Sequence, residues 1–306
     1  MSILILRPLA TVYHFVQKQY CIFLEKFLPK KLIELKFKHY LGYNIDWSNP
    51  IDINEKINWL KLYSDTSMWS MLADKYAVRE YISSKGYKNL LVPLIGKWDC
   101  VDDIDWKILP KKFVMKLNNG SGDILVCRDK QDLDIKKWER RFKSLFSTPF
   151  GYVMGEPHYD RIKPCIIAEE LLDCRLQPIN TSSLIDYKIW CFDGKPYCIW
   201  ACFNRTADSV QVASYDLNWI KHPEHSVSTS RYILSDITLP RPKSLDAMIE
   251  AASKLSEGFP QVRIDFYEVD GCPYFGEMTF TSNAGYMEFY TKEYLTELGN
   301  QVVLPN

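Results

Sequence analysis

The chain has 306 residues, with 38 lysines and arginines against 38 aspartates and glutamates, so its formal net charge is zero. Hydrophobic residues make up 47% and charged residues 25%. That balance excludes collagen-like, low-complexity and wholly disordered chains, and the missing basic excess excludes nucleic-acid binding through bulk charge.

The length predicts roughly two domains. Nine cysteines are scattered without a C-x-x-C pair, which fits neither a zinc ribbon nor a disulfide framework and is read as reduced thiols in a cytoplasmic protein. No apolar run reaches the ~18–20 residues of a membrane-spanning helix. The opening segment, broken by Arg7 and Pro8, lacks the charged start and cleavage site of a signal peptide, so the chain is read as unexported.

Residues 9–28 predict an aromatic-rich helix with a poorly polar far side. Two readings stay open for it: a helix lying on the inner membrane surface, or one packed on its own core or a partner. After the turn at Asn49-Pro50, helices are expected over about 54–63 and 68–85, the second ended by Gly86. Strand-like runs follow at 113–117, 124–126, 166–168, 187–192, 196–202, 262–266 and 273–277, with helices at about 135–145 and 245–256. Mostly antiparallel strands with covering helices predict an α+β protein.

Four segments could carry chemistry. Lys116 leads into a turn, Asn119, Gly120, Ser121 and Gly122, that precedes the next strand. Glycines there let backbone N–H groups close on an anion, and the lysine adds a point charge; an ordinary hairpin turn is the alternative. Arg263 and Asp265 share one strand face. A hairpin through Asp270-Gly271 would return the chain with Glu277 beside Asp265, a pair suited to Mg²⁺ and a phosphate or simply to a cross-strand ion cluster. Glu169 and Glu170 end an apolar strand, and Asp186 and Lys188 share a later one. Lys75 and Arg79, spaced i, i+4, are expected on one face of the second helix. No H-E-x-x-H, G-x-S-x-G or G-x-G-x-x-G motif is present.

Taken in order, these segments resemble the TupA-like ATP-grasp family of bacterial surface-polysaccharide biosynthesis. The matching stretches run from Ile53–Tyr63 and Ala73–Tyr81 through Pro93–Trp98, Lys116–Gly122, Ile167–Leu171 and Asp186–Lys188 to Phe259–Asp265 and Phe275–Phe280. The resemblance implies an ATP-grasp fold in which two α+β lobes clamp ATP. It implies an N-terminal helical region over 1–88, a first lobe over 89–175 and a second over 176–306. It implies that Lys75, Lys116 and the Asn119–Gly122 loop hold phosphates, that Glu169, Glu170, Leu171 and Leu172 border adenine, and that Asp186 meets the ribose. Lys188 becomes a contact for the γ-phosphate or substrate, Asp265 and Glu277 the ligands of Mg²⁺, and Arg263 the partner of an acyl phosphate. Many ATP-grasp enzymes carry Glu-x-Asn where Thr279 follows Glu277 here; Thr279 or Asn283 would stand in as the neutral ligand. The implied activity joins a uronic acid-containing saccharide of a capsule or O-antigen to an amine through an amide. A glycosyltransferase, a phosphotransferase and an ATP-binding scaffold are the rivals. The first would need an Asp-x-Asp strand end, and Asp132-Leu-Asp134 instead reads as a helix cap.

Overall fold

The computed structural model describes residues 6–120, 122, 124–148 and 150–305, with side chains from residue 16 onward. Nine helices are described: α1 (Leu6–Phe27), α2 (Pro29–Leu41), α3 (Ile53–Tyr63), α4 (Ser67–Ala73), α5 (Val78–Ser84), α6 (Ile135–Phe146), α7 (Pro157–Asp160), α8 (Leu245–Leu255) and α9 (Lys292–Gln301). The strands are β1 (Leu94–Trp98), β2 (Phe113–Leu117), β3 (Leu125–Cys127), β4 (Ile166–Glu169), β5 (Asp186–Phe192), β6 (Lys195–Phe203), β7 (Val210–Asp216), β8 (Tyr232–Leu234), β9 (Val262–Val269) and β10 (Cys272–Thr279).

The strands form two sheets, and the α+β expectation holds. The smaller has the order β1-β4-β2-β3; the larger runs β10-β9-β5-β6-β7-β8. All described pairings are antiparallel except β7 with β8. In the smaller sheet Phe113, Met115, Leu125 and Ile166 pack with Phe142 of α6. In the larger sheet β5 is buried from Tyr187 to Phe192, as a central strand covered on both faces must be. Its core includes Met248, Ala251, Ala252 and Leu255 of α8.

The helix predicted from about Asn54 starts at a reciprocal cap: the Asp52 carboxylate accepts from the Glu55 amide, and Glu55 accepts from the Asp52 amide. Its buried polar residues tie it to the chain just after β10. Asn54 and Asn58 bond the backbone of Met287 and Gly285, and the Lys61 ammonium donates to the Ala284 carbonyl at 2.7 Å. The expected helix over 68–85 is instead two, and this corrects the sequence reading. Asp74 breaks it: its Oδ1 accepts from the amides of Tyr76 (2.8 Å) and Ala77 (3.2 Å), a local side-chain bond that competes with the helical ladder. Lys75 therefore sits in the break between α4 and α5 rather than on a helix face with Arg79. The cap expected at Asp134 is present, with its side chain accepting from the Lys137 amide.

Candidate active site

Asp270 (φ 52°) and Gly271 (φ 70°) make the tight turn between β9 and β10, as the sequence pattern predicts. An uninterrupted ladder from that turn would set Gly276 opposite Asp265. A bulge between Phe275 and Glu277 shifts the register by one, so that Glu277 pairs with Asp265 and Thr279 with Arg263. Glycine eases the close approach at the bulge: a Cβ on Gly276 would lie 3.0 Å from the Asp265 carbonyl oxygen, tighter than ordinary contact. On the other side of β9, Lys188 pairs with Asp265. Directly opposed residues share a sheet face, so Glu277, Asp265 and Lys188 form one row across three strands.

Arg263 grips Asp265 with both arms of its guanidinium, Nε to Oδ1 at 2.7 Å and Nη2 to Oδ2 at 2.8 Å. It also donates to Ser282 Oγ (2.6 Å) and Thr279 Oγ1 (3.2 Å) and lies 3.6 Å from Glu277 Oε1. The Lys188 ammonium lies between Asp265 and Asp186, the latter at 2.5 Å. Asp265, Arg263 and Lys188 are buried, whereas the Glu277 side chain keeps 34% exposure. Burial works against charge on Lys188, but Asp186 and Asp265 outweigh it and raise its pKa. Burial likewise works to raise Glu277, yet Lys75, Lys188 and Arg263 hold its carboxyl down at about 2.

The smaller sheet supplies a second set of charges. Lys116, at the end of β2, pairs with Glu169 of β4 at 2.7 Å, and Arg79 holds the other Glu169 oxygen at 3.0 Å while donating to the Val92 carbonyl. Asn118 locks the start of the glycine loop to the approach of β4. Its amide N–H donates to the Cys165 carbonyl, and its side-chain oxygen accepts from the Cys165 amide. Asn119 is buried, and Gly122 has φ 78°, open to glycine; Ser121 lies outside the described residues. Lys75 joins the two halves. Its backbone amide donates to the Asn118 carbonyl (3.0 Å), its ammonium donates to the Gly120 carbonyl (2.6 Å), and that same ammonium lies 3.5 Å from Glu277 Oε2.

Between the sheets lies a cleft of about 620 Å³, within the size range of small-molecule sites. Val114, Val126, Leu171, Leu172 and Phe275 give it apolar walls, and Lys116, Glu169, Glu170, Asp186 and Arg205 give it charge. Asn283 spends its amide on the Tyr286 carbonyl at 2.6 Å, and Ser282 is the residue of that turn that meets Arg263. Thr279 Oγ1 is also engaged, accepting from Arg263 and donating to Glu277 Oε1. Ser282, Asn118, Arg205 and Phe275 were not foreseen. Each acts through tertiary placement and carries no sequence pattern of its own.

A family model described as TupA-like ATPgrasp matches residues 55–303. The chain belongs to the TupA-like ATP-grasp family. Its similarity to solved structures is distant. A D-alanine–D-alanine ligase from Bacillus anthracis is 14% identical, with 81% of this chain and 69% of that one covered and a TM-score of 0.41. The ATP-grasp ligase PsnB complexed with a minimal precursor is 13% identical, with 81% and 65% covered and a TM-score of 0.41. A D-alanine–D-alanine ligase from Helicobacter pylori is 14% identical, with 82% and 69% covered and a TM-score of 0.39. No curated protein matches the TupA-like chain.

Proposed function

We propose that this protein activates the carboxylate of a uronic acid-containing saccharide, of a capsule or O-antigen, and couples it to an amino acid or other amine. The observation that carries the reading is the row Glu277–Asp265–Lys188, with Arg263 clamped on Asp265, linked through Lys75 to the glycine loop. Both ends of that arrangement suit a nucleotide polyphosphate. In this reading residues 1–88 form a helical region, 89–175 the first lobe and 176–306 the second.

ATP would lie in the cleft, with its base against the apolar walls by Glu169, Glu170 and Leu171 and its ribose toward Asp186. Lys75, Lys116 and the loop Asn119, Gly120, Ser121 and Gly122 would hold the phosphates. The residues present fit a divalent cation. Asp265 and Glu277 are hard oxygen donors opposed on paired strands, Asp265 Oδ1 carries a single guanidinium contact, and Glu277 is partly open. Mg²⁺ held there would neutralise charge on the phosphate oxygens. Thr279 and Asn283 are the candidate neutral ligands, and their present hydrogen bonds would have to be exchanged for that role, which favours one ion on the two carboxylates. Lys188 and Arg263 act as fixed cations. Preorganised charge of this kind costs no reorganisation when the transferring group becomes more negative. A carboxylate oxygen attacks the γ-phosphorus and ADP departs; the amine nitrogen then attacks the acyl carbon, phosphate departs and the nitrogen gives up a proton. An ATP-consuming reaction of this kind belongs in the cytoplasm.

Product analysis tests the reading. ATP, Mg²⁺, a uronic acid-containing oligosaccharide and an amino acid should yield ADP, free phosphate and an amide-linked sugar by mass spectrometry. A phosphorylated saccharide without free phosphate would make the protein a kinase. No consumption of ATP with any uronate and amine pair would leave only a nucleotide-binding scaffold.

A further inference from the structure

Helix α1 is turned the wrong way round for a helix that belongs only to its own core. Its inward side buries Leu24 and the carboxylate of Glu25, against α2 and the short turn Gly151–Val153. At 100° per residue, Val16, Tyr20, Phe23 and Phe27 fall within about 60° of one another, on the side opposite Glu25. Those four are 57%, 55%, 52% and 59% exposed, and Leu28 beside them is 52% exposed. Single exposed apolar residues need no explanation, but a continuous aromatic stripe with a glutamate on the buried side does.

Charge decides what covers it. Residues 16–41 carry six lysines, Lys18, Lys26, Lys30, Lys31, Lys36 and Lys38, against Glu25 and Glu34. The whole chain has no net charge, so this helical pair is a positive island of +4 on a remainder of −4. Lys26, Lys30, Lys31 and Lys38 are exposed. A second copy of the chain paired by two-fold symmetry through this face would oppose the island with an identical one, and like charges disfavour that pairing. An anionic lipid surface offers both complements at once: acyl chains for the stripe and headgroup charge for the lysines.

We infer that the Val16–Phe27 face of α1 docks the protein on an anionic membrane surface, lying in its plane without crossing it. Among the described residues no helix is long and apolar enough to span a bilayer. This inference stands apart from the ligase reading, and its test does not use the ligase reaction.

The test is flotation of the full chain with vesicles of phosphatidylcholine alone and of phosphatidylcholine with about one-third phosphatidylglycerol. The protein should float with the second and not the first, and raising salt to about 0.5 M should weaken binding. Phe23→Ser with Phe27→Ser should reduce the bound fraction about tenfold or more. Lys30→Glu with Lys31→Glu should do the same while leaving the stripe intact. Both pairs are exposed, so an unchanged melting midpoint certifies folding. No flotation of the wild-type chain, or flotation unaffected by both pairs, would overturn the inference. So would a wild-type dimer, seen by light scattering, that Phe23→Ser with Phe27→Ser converts to a monomer without any vesicle binding.

Discussion

Replacing Asp265 by asparagine separates the structural use of this carboxylate from its chemical use. In the wild-type cluster Lys75, Lys188 and Arg263 face Asp186, Asp265 and Glu277, and the charges cancel. Asp265→Asn leaves that buried group at +1. Arg263 loses the charged two-armed contact, since the amide offers one neutral oxygen, and keeps Ser282, Thr279 and a carboxylate 3.6 Å away; Lys188 keeps Asp186 at 2.5 Å. Removing one partner of a buried ion pair costs roughly 3–5 kcal/mol. The surviving contacts put the expected loss near the lower end, about 3 kcal/mol. For a chain of 306 residues, unfolding with about 2.1 cal/mol/K of entropy per residue, that corresponds to a fall in melting midpoint of about 5 °C. The assay is differential scanning calorimetry beside ADP release. Glu277→Gln is the comparison: it removes the same charge, but its side chain is one-third exposed, so its midpoint should fall by less than that of Asp265→Asn, while Mg²⁺-dependent ADP release should vanish in both variants. Asp265→Asn melting with the wild type would refute the view that Asp265 is the buried counter-ion. Wild-type ADP release in either variant would refute the assignment of the carboxylates.

Arg79→Ala leaves Glu169 to Lys116 alone. The expected result is a raised KM for ATP with kcat little changed, because Lys116 is then held by the carboxylate instead of shared toward phosphate; steady-state kinetics checks it, and an unchanged KM removes Arg79 as a positioning residue. Glu25 gives a pH prediction. Burial pushes its carboxyl up to about 7, with Lys61 opposing and Asp160 and Glu156 assisting. The folded state then keeps a proton that the unfolded chain releases from about pH 4.5, so stability falls as pH rises toward about 7, by at most about 3 kcal/mol. Glu25→Gln removes that dependence. The variant should gain on the wild type in melting midpoint between pH 5 and pH 8, and a gap independent of pH would refute the buried carboxyl.

The carboxylate pair shows how far sequence reasoning reaches. Alternation places Arg263 with Asp265, and the Asp270-Gly271 turn fixes a hairpin, so the neighbourhood is legible. Period-two counting from that turn, however, opposes Glu277 to Ile264 and points it to the other face. The bulge at Gly276 restores the pairing with Asp265, and its only local signal is a glycine inside a strand pattern. The helix break at Asp74 is similar. Hydrophobic spacing runs straight through it, and the reason it yields is a short-range side-chain bond together with the tertiary contacts waiting for Lys75. Strands β1, β7 and β8 and helices α2 and α9 lie outside the expected elements, although α2 carries a readable start at Pro29 and a readable stop at Gly42 (φ 80°). Ser282 meets Arg263 only because the chain after β10 is held by α3, a contact no local pattern encodes.

Three cations of the cluster already have partners: Lys75 has Gly120 and Glu277, Lys116 has Glu169, and Lys188 has Asp186 and Asp265. A ligand therefore gains only the difference between its own contacts and those it displaces. A lone phosphate monoester offers charge enough to displace few of them, and it leaves the abandoned carboxylates unpaired. A triphosphate arriving with a divalent ion displaces several and hands the carboxylates a new cation in the same event. Nucleotide and metal affinity are then thermodynamically linked, each raising the other by the same factor. A site wired in this way would favour a ligand that brings its own cation over a smaller anion that does not.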